Sequence, residues 1–199
     1  MSDDLLVKED VFLTAGVHIG TKVKSKDMLP FIYKVRNDGL YILDVRQTND
    51  RIKDIAKFLS KYDPSEILVA AQRQYGQKPA SKFAETIGAN SVCGRLIPGR
   101  LTNPELSDYI EPSVIILTDP SADNQALKEA VKINIPTIAL CDANNMTKYI
   151  DIILPTNNKG RRSLAMIYWL LTREVLKAYK KIKKDEEYTL SIDDFEAQL

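Results

Sequence analysis

The chain should fold as a three-layer α/β protein, a parallel sheet covered by helices on both faces with an antiparallel hairpin attached. Three observations predict this. Short, largely apolar runs, such as Ile67-Leu-Val-Ala-Ala71 and Thr137-Ile-Ala-Leu-Cys141, suit strands buried on both faces. Helical patterns separate these runs, which implies right-handed crossovers and a parallel sheet. Two further strand patterns flank Asn37-Asp38-Gly39, and Asp-Gly accepts the positive φ angles of a tight hairpin turn.

Taken in order, residues 31–36 and 40–45 form the hairpin, which carries Lys34 and Arg36 and follows Lys22, Lys24 and Lys26. Residues 67–71 are the first sheet strand, after Asp63-Pro64, and a helix is expected over 77–87. Residues 90–93 make a short strand. The next stretch, Cys93 to Pro104, holds two arginines, two glycines and two prolines, so it cannot continue as helix or strand. Arg95 and Arg100 should stand on this stiff loop with their guanidinium forks outward, a presentation that suits phosphate. Residues 114–117 are the next strand. Asp119-Pro-Ser-Ala-Asp123 then starts a helix running to about Ile133, with Ser121 or Asp123 able to cap its first N–H groups. Strands over 137–141 and 152–154 complete the sheet. The final helix has Leu164, Ile167, Leu171, Val175, Ala178 and Ile182 at spacings of three and four, and these should face the sheet. Arg173, Lys177, Lys180 and Lys184 follow the same period as a basic stripe. One α/β domain over residues 1–184 and an acidic tail over 185–199 are expected, the tail being the disordered piece.

At 199 residues, 44% apolar and 28% charged, the composition is that of an ordinary soluble protein. No run of 18 apolar residues occurs, and the first ten residues lack the basic start and apolar stretch of a secretory signal. A cytoplasmic protein is expected, with no membrane partner. Cys93 and Cys141 both sit in strand-like segments and read as buried free thiols. The net charge of +1 hides asymmetry: residues 159–184 hold nine bases against one acid, residues 73–100 five against one, and residues 185–199 six acids and no base. Separated basic surfaces of this kind are what phosphate binding needs.

Catalytic patterns are nearly absent. The only histidine, His18, stands in Gly-Val-His-Ile-Gly, so no histidine-based metal cluster is possible and a neutral, structural imidazole is expected. Neither Gly-x-Gly-x-x-Gly nor Gly-x-x-x-x-Gly-Lys-Ser/Thr occurs, so the usual backbone cradles for nucleotides are missing. No catalytic residue, metal site or cofactor is expected. Asp119, Ser121, Asp123 and Asp142 lie at the carboxyl ends of strands, where open α/β sheets place ligands, and they carry the competing reading, a small-ligand binder or enzyme. Helix capping is the simpler reading of Asp119 and Asp142.

Five blocks in order resemble the small-subunit ribosomal protein S-two family, in the branch that includes the laminin-receptor precursor: residues 18–22 (His-Ile-Gly-Thr-Lys), 95–104 (Arg-Leu-Ile-Pro-Gly-Arg-Leu-Thr-Asn-Pro), 112–119, 135–142, and 155–160 with Trp169 and 173–176. The resemblance implies a flavodoxin-like or Rossmann-like sheet and a place on the small ribosomal subunit, held by ribosomal RNA and by neighbouring ribosomal proteins in translation. It implies no small-molecule substrate. No heptad stretch matches the helical hairpin inserted in bacterial members. The Arg161-Arg162 pair and the end of the chain depart from eukaryotic members, so an archaeal member fits best and laminin binding is not carried over. The residues expected to meet RNA are Lys22, Lys24, Lys26, Lys34, Arg36, Arg95, Arg100, Lys159, Arg161 and Arg162.

Overall fold

The computed structural model describes residues 5–198. The beginning of the N-terminal decapeptide and the last residue of the tail lie outside them. Strands β3 (Ile67–Ala71), β4 (Asn90–Cys93), β5 (Val114–Leu117), β6 (Thr137–Cys141) and β7 (Ile152–Pro155) form a parallel sheet in the order β4-β3-β5-β6-β7. Before it come helix α1 (Glu9–Ala15), the antiparallel strands β1 (Ile32–Val35) and β2 (Tyr41–Leu43), and helix α2 (Val45–Leu59). Between and after the strands run α3 (Gln74–Ile87), α4 (Asn124–Lys132), α5 (Arg161–Ala178) and α6 (Ile192–Phe195).

The period of two in each strand builds the three layers. Ile67, Val69 and Ala71 of β3, with Val114 and Ile116 of β5, point into one cluster, which α2, α3 and α5 close with Ile52, Phe83 and Leu171. Leu68 and Ala70, with Ile115 and Leu117, point into the other, which α4 closes with Ala126 and Ala130 and the hairpin region with Met28, Phe31 and Leu43. The expected fold class and hairpin are therefore both present. Gly39 ends the turn at φ 81°, in the region that asparagine or glycine enters most cheaply.

Several boundaries differ, each for a physical reason. The second hairpin strand ends at Leu43 because Asp44 turns the chain: its carboxylate accepts from the Arg46 N–H at 2.9 Å and starts α2, so Val45 belongs to a helix. The sequence reading names neither α1 nor α2, although Val45, Ile52, Ile55, Ala56 and Leu59 carry a helical spacing. Helix α4 begins where expected, but Asp123 does not cap it. The final helix stops at Ala178, with Lys180 at φ 59°, so Lys180, Ile182 and Lys184 are not helical.

The tail also departs from the expected disorder. Phe195 is fully buried in the larger core cluster. Ser191 and Asp194 form a reciprocal capping box around α6, and Trp169 Nε1 donates to the Leu190 carbonyl at 2.7 Å. The apolar residues Tyr188, Leu190 and Ile192 pack against this chain's own core cluster, which charge counting alone does not foresee.

Candidate nucleic-acid interface

Because the strands are parallel, the segments that follow β4, β5, β6 and β7 all leave the sheet at one edge. Arg95 follows β4, and Lys159, Arg161 and Arg162 follow β7. Residues 20–27 are pinned to the same edge: Ser25 N–H donates to the Ala143 carbonyl at 2.8 Å, and Asp27 accepts from Thr147 N–H and hydroxyl. Gly20 permits this crossing, since a Cβ there would come within 2.7 Å of the Tyr41 carbonyl and 3.3 Å of Asp142 Oδ1. Lys22, Lys24 and Lys26 are thus carried to the carboxyl edge of the sheet.

Beneath them the edge is stitched shut. Asp119 Oδ1 accepts from Asn145 Nδ2 at 2.9 Å and from the Ser121 N–H at 3.0 Å, while its other oxygen pairs with Arg73. Asp123 spans the gap between β3 and β5, accepting from Gln72 N–H at 2.8 Å and Asp119 N–H at 2.9 Å. Asn145 Oδ1 accepts from Asp142 N–H at 2.8 Å and from Asn158 Nδ2 at 2.9 Å. Asp142 accepts from Ala143 N–H at 2.6 Å and from Lys159 Nζ at 2.7 Å. The side chains of Asp119, Asp123 and Asp142 are spent on the protein itself, and the exposed Ser121 hydroxyl accepts from Asn145 Nδ2 at 2.8 Å, so this network fixes the strand ends and gives the small-ligand reading no support. Burial is the main reason that Asp123 is pushed up to about 6, against the lowering effect of its backbone N–H donors.

The ten candidate cations separate into two groups. Lys22, Lys24, Lys26, Lys34, Arg95 and Arg162 are exposed and make no ion pair among the described residues. Lys24 Nζ lies 5.1 Å from the Tyr41 ring centroid and Lys34 Nζ 5.7 Å from that of Tyr33. Arg36 joins this group with a 3.3 Å pair to Asp38 in which both partners are half exposed and the attraction is weak. The other three turn inward. Arg100 Nε donates to the Asp108 carbonyl at 3.1 Å and pairs with its carboxylate at 3.5 Å, because the loop doubles back there. That loop is held from below by Glu129, which accepts from Gly99 and Leu101 N–H. Lys159 ties down Asp142 and Asn144, and Arg161 pairs with Glu196 of the tail at 2.7 Å. The outward orientation expected of Arg100 is therefore corrected.

The basic stripe of α5 is corrected too. Arg173 is only 5% exposed, stacked 5.2 Å from the Trp169 ring, donating to the Leu6 carbonyl at 2.9 Å and paired with Glu174 and Asp185. Lys177 pairs with the same two acids. Cys141 is buried as expected, but Cys93 is exposed at the end of its strand with its thiol donating to the Gln77 carbonyl. His18 is partly buried, its pKa lowered by burial and by nearby Arg36 and Lys34. Its Nδ1 is buried without a partner among the described residues.

The chain matches the family model described as ribosomal protein S2 over residues 12–111 and 106–178. The chain belongs to this family. It is 57% identical to the small ribosomal subunit protein uS2 of Picrophilus torridus and 58% identical to that of Thermoplasma acidophilum, in both cases over the whole of each chain. With the protein of the same name from Methanoregula boonei it shares 57% identity over 98% of this chain and 93% of that one. These relatives are archaeal, in agreement with the branch expected from the Arg161-Arg162 segment. Among the described residues no helix is long and apolar enough to cross a membrane. Tyr33, which the sequence reading does not single out, is 70% exposed beside Lys34 and Arg36 of the hairpin. Its only local signal is an aromatic placed next to Lys34 and Arg36.

Proposed function

We propose that the protein is a structural constituent of the small ribosomal subunit, holding ribosomal RNA and neighbouring ribosomal proteins in translation, with no catalytic step of its own. Its full-length match to small ribosomal subunit proteins carries this reading. The internal use of Asp119, Asp123 and Asp142 supports it, because it leaves the strand ends without groups aimed at a substrate. The RNA contacts fall to Lys22, Lys24, Lys26, Lys34, Arg36, Arg95 and Arg162, whose charged ends face solvent. Arg100, Lys159 and Arg161 hold the loop, the strand ends and the tail in place. Each phosphate neutralised releases condensed counterions, so affinity should fall steeply with salt. Sedimentation of the tagged protein from cell lysate tests the assignment: it should travel with the small subunit, and persistent migration as a free protein would refute it.

A further inference from the structure

A cleft of about 670 Å³ opens between α1 and the hairpin and falls in the size range of small-molecule sites, roughly 300–1,000 Å³. Leu13 and Ile42 give it apolar lining, and Tyr33, Lys34, Arg36 and His18 line it as well. The pairing of β1 with β2 slips between Ile32 and Lys34, so Tyr33 is the extra residue of a β-bulge. Bulges re-aim side chains, and this one leaves a tyrosine 70% exposed beside two cations. Its hydroxyl has no partner among the described residues, and Lys34 Nζ stands 5.7 Å from its ring. Burial lowers the pKa of His18, and the charges of Arg36 and Lys34 lower it further, so both cations act on the interior of the cleft, whose lining also includes Glu9 and Asp44.

We infer that this cleft receives an unpaired nucleotide of RNA, its base stacked on Tyr33 over the apolar lining and its phosphate held by Lys34 and Arg36. The inference rests on the ribosomal RNA-binding reading and specifies the form of RNA. An exposed ring flanked by cations matches a base with its own phosphate, since every base has a stacking face. Duplex RNA keeps its bases stacked and offers the cleft only backbone. The other cations at the carboxyl edge suit that backbone, so the molecule has two contact modes.

The full chain titrated with a short oligouridylate and with a blunt RNA duplex separates them. Tyr33→Ala should weaken oligouridylate binding about tenfold while leaving its salt dependence and the duplex affinity unchanged. Tyr33→Phe should bind like the parent, and Lys34→Ala should reduce the salt slope for oligouridylate by about one. Unchanged melting temperature in each variant, expected for exposed side chains, shows that folding is not the cause. Equal binding of Tyr33→Ala and parent to oligouridylate, or equal loss toward both RNAs, overturns the inference. Failure of the parent to bind oligouridylate overturns it too, and the ribosomal assignment then still stands if the protein sediments with the small subunit.

Discussion

Two stretches of this chain carry dense positive charge, and they use it in opposite ways. Between residues 22 and 36 the side chains of Lys22, Lys24, Lys26 and Lys34 reach solvent without an acidic partner among the described residues. On α5, Arg173 and Lys177 are folded against Glu174 and Asp185, with Trp169 beneath the guanidinium. Charge count over residues 159–184, nine bases against one acid, would favour the second stretch as the RNA surface. Availability favours the first. A cation already paired in a half-buried site has surrendered its hydration and gained a fixed partner, so moving it to a phosphate means breaking that pair.

The largest effect expected from this contrast is on stability. Arg173→Ala removes one of the two cations held by Glu174, whose side chain is only 12% exposed, together with the stacking on Trp169 and the bond to the Leu6 carbonyl, and should cost about 2 kcal/mol in urea denaturation. Lys24→Ala in the same assay should stay within about 0.5 kcal/mol of the parent. Similar losses in both would erase the distinction.

The stitched strand ends sharpen it through pH. Asp123 sits near 6 in the fold against 3.8 in the reference state, so the folded protein holds its proton more tightly than the unfolded chain. Its contribution is fully present below pH 4 and is lost as pH rises through 6, roughly 2 to 3 kcal/mol. Chemical denaturation between pH 4 and 7 should show this decline in the parent and a flatter curve in Asp123→Asn. Identical curves would place the ionised carboxylate in a better solvated site than its burial suggests.

A smaller effect separates two adjacent arginines. Arg161 is bound to Glu196, so Arg161→Glu sets two carboxylates together and should lower the melting temperature. Arg162 is exposed in the first turn of α5, where an acid suits the helix dipole, so Arg162→Glu should stabilise by about 0.5 kcal/mol while weakening RNA binding. Equal melting behaviour of the two variants would remove the tail from the account.

The middle of the sheet was legible in the sequence because its strands are buried on both faces and therefore read as largely apolar runs. The strand limits of β3, β5 and β6 coincide with those runs. The availability of charge was not legible, because it depends on partners distant in sequence. Arg161 meets Glu196 and Arg173 meets the Leu6 carbonyl, contacts that only the folded chain brings together. The tail was misjudged for the same reason: its six acids suggest repulsion and disorder, whereas Phe195, Trp169 and Arg161 give it a place to bind. Arg95 and Arg100 look equivalent on their loop, and only Asp108, brought close when the loop doubles back, distinguishes them.

The claim that solvent-facing cations hold RNA, and paired ones do not, is tested most directly by salt-dependent binding of small-subunit ribosomal RNA. The variant Lys22→Ala/Lys24→Ala/Lys26→Ala should reduce the slope of log affinity against log salt by roughly 0.9 or less for each lost phosphate contact, about two in all, at unchanged stability. Lys177→Ala should leave that slope unaltered. A parent-like slope in the triple variant together with a reduced slope in Lys177→Ala would contradict the account and put the RNA on α5.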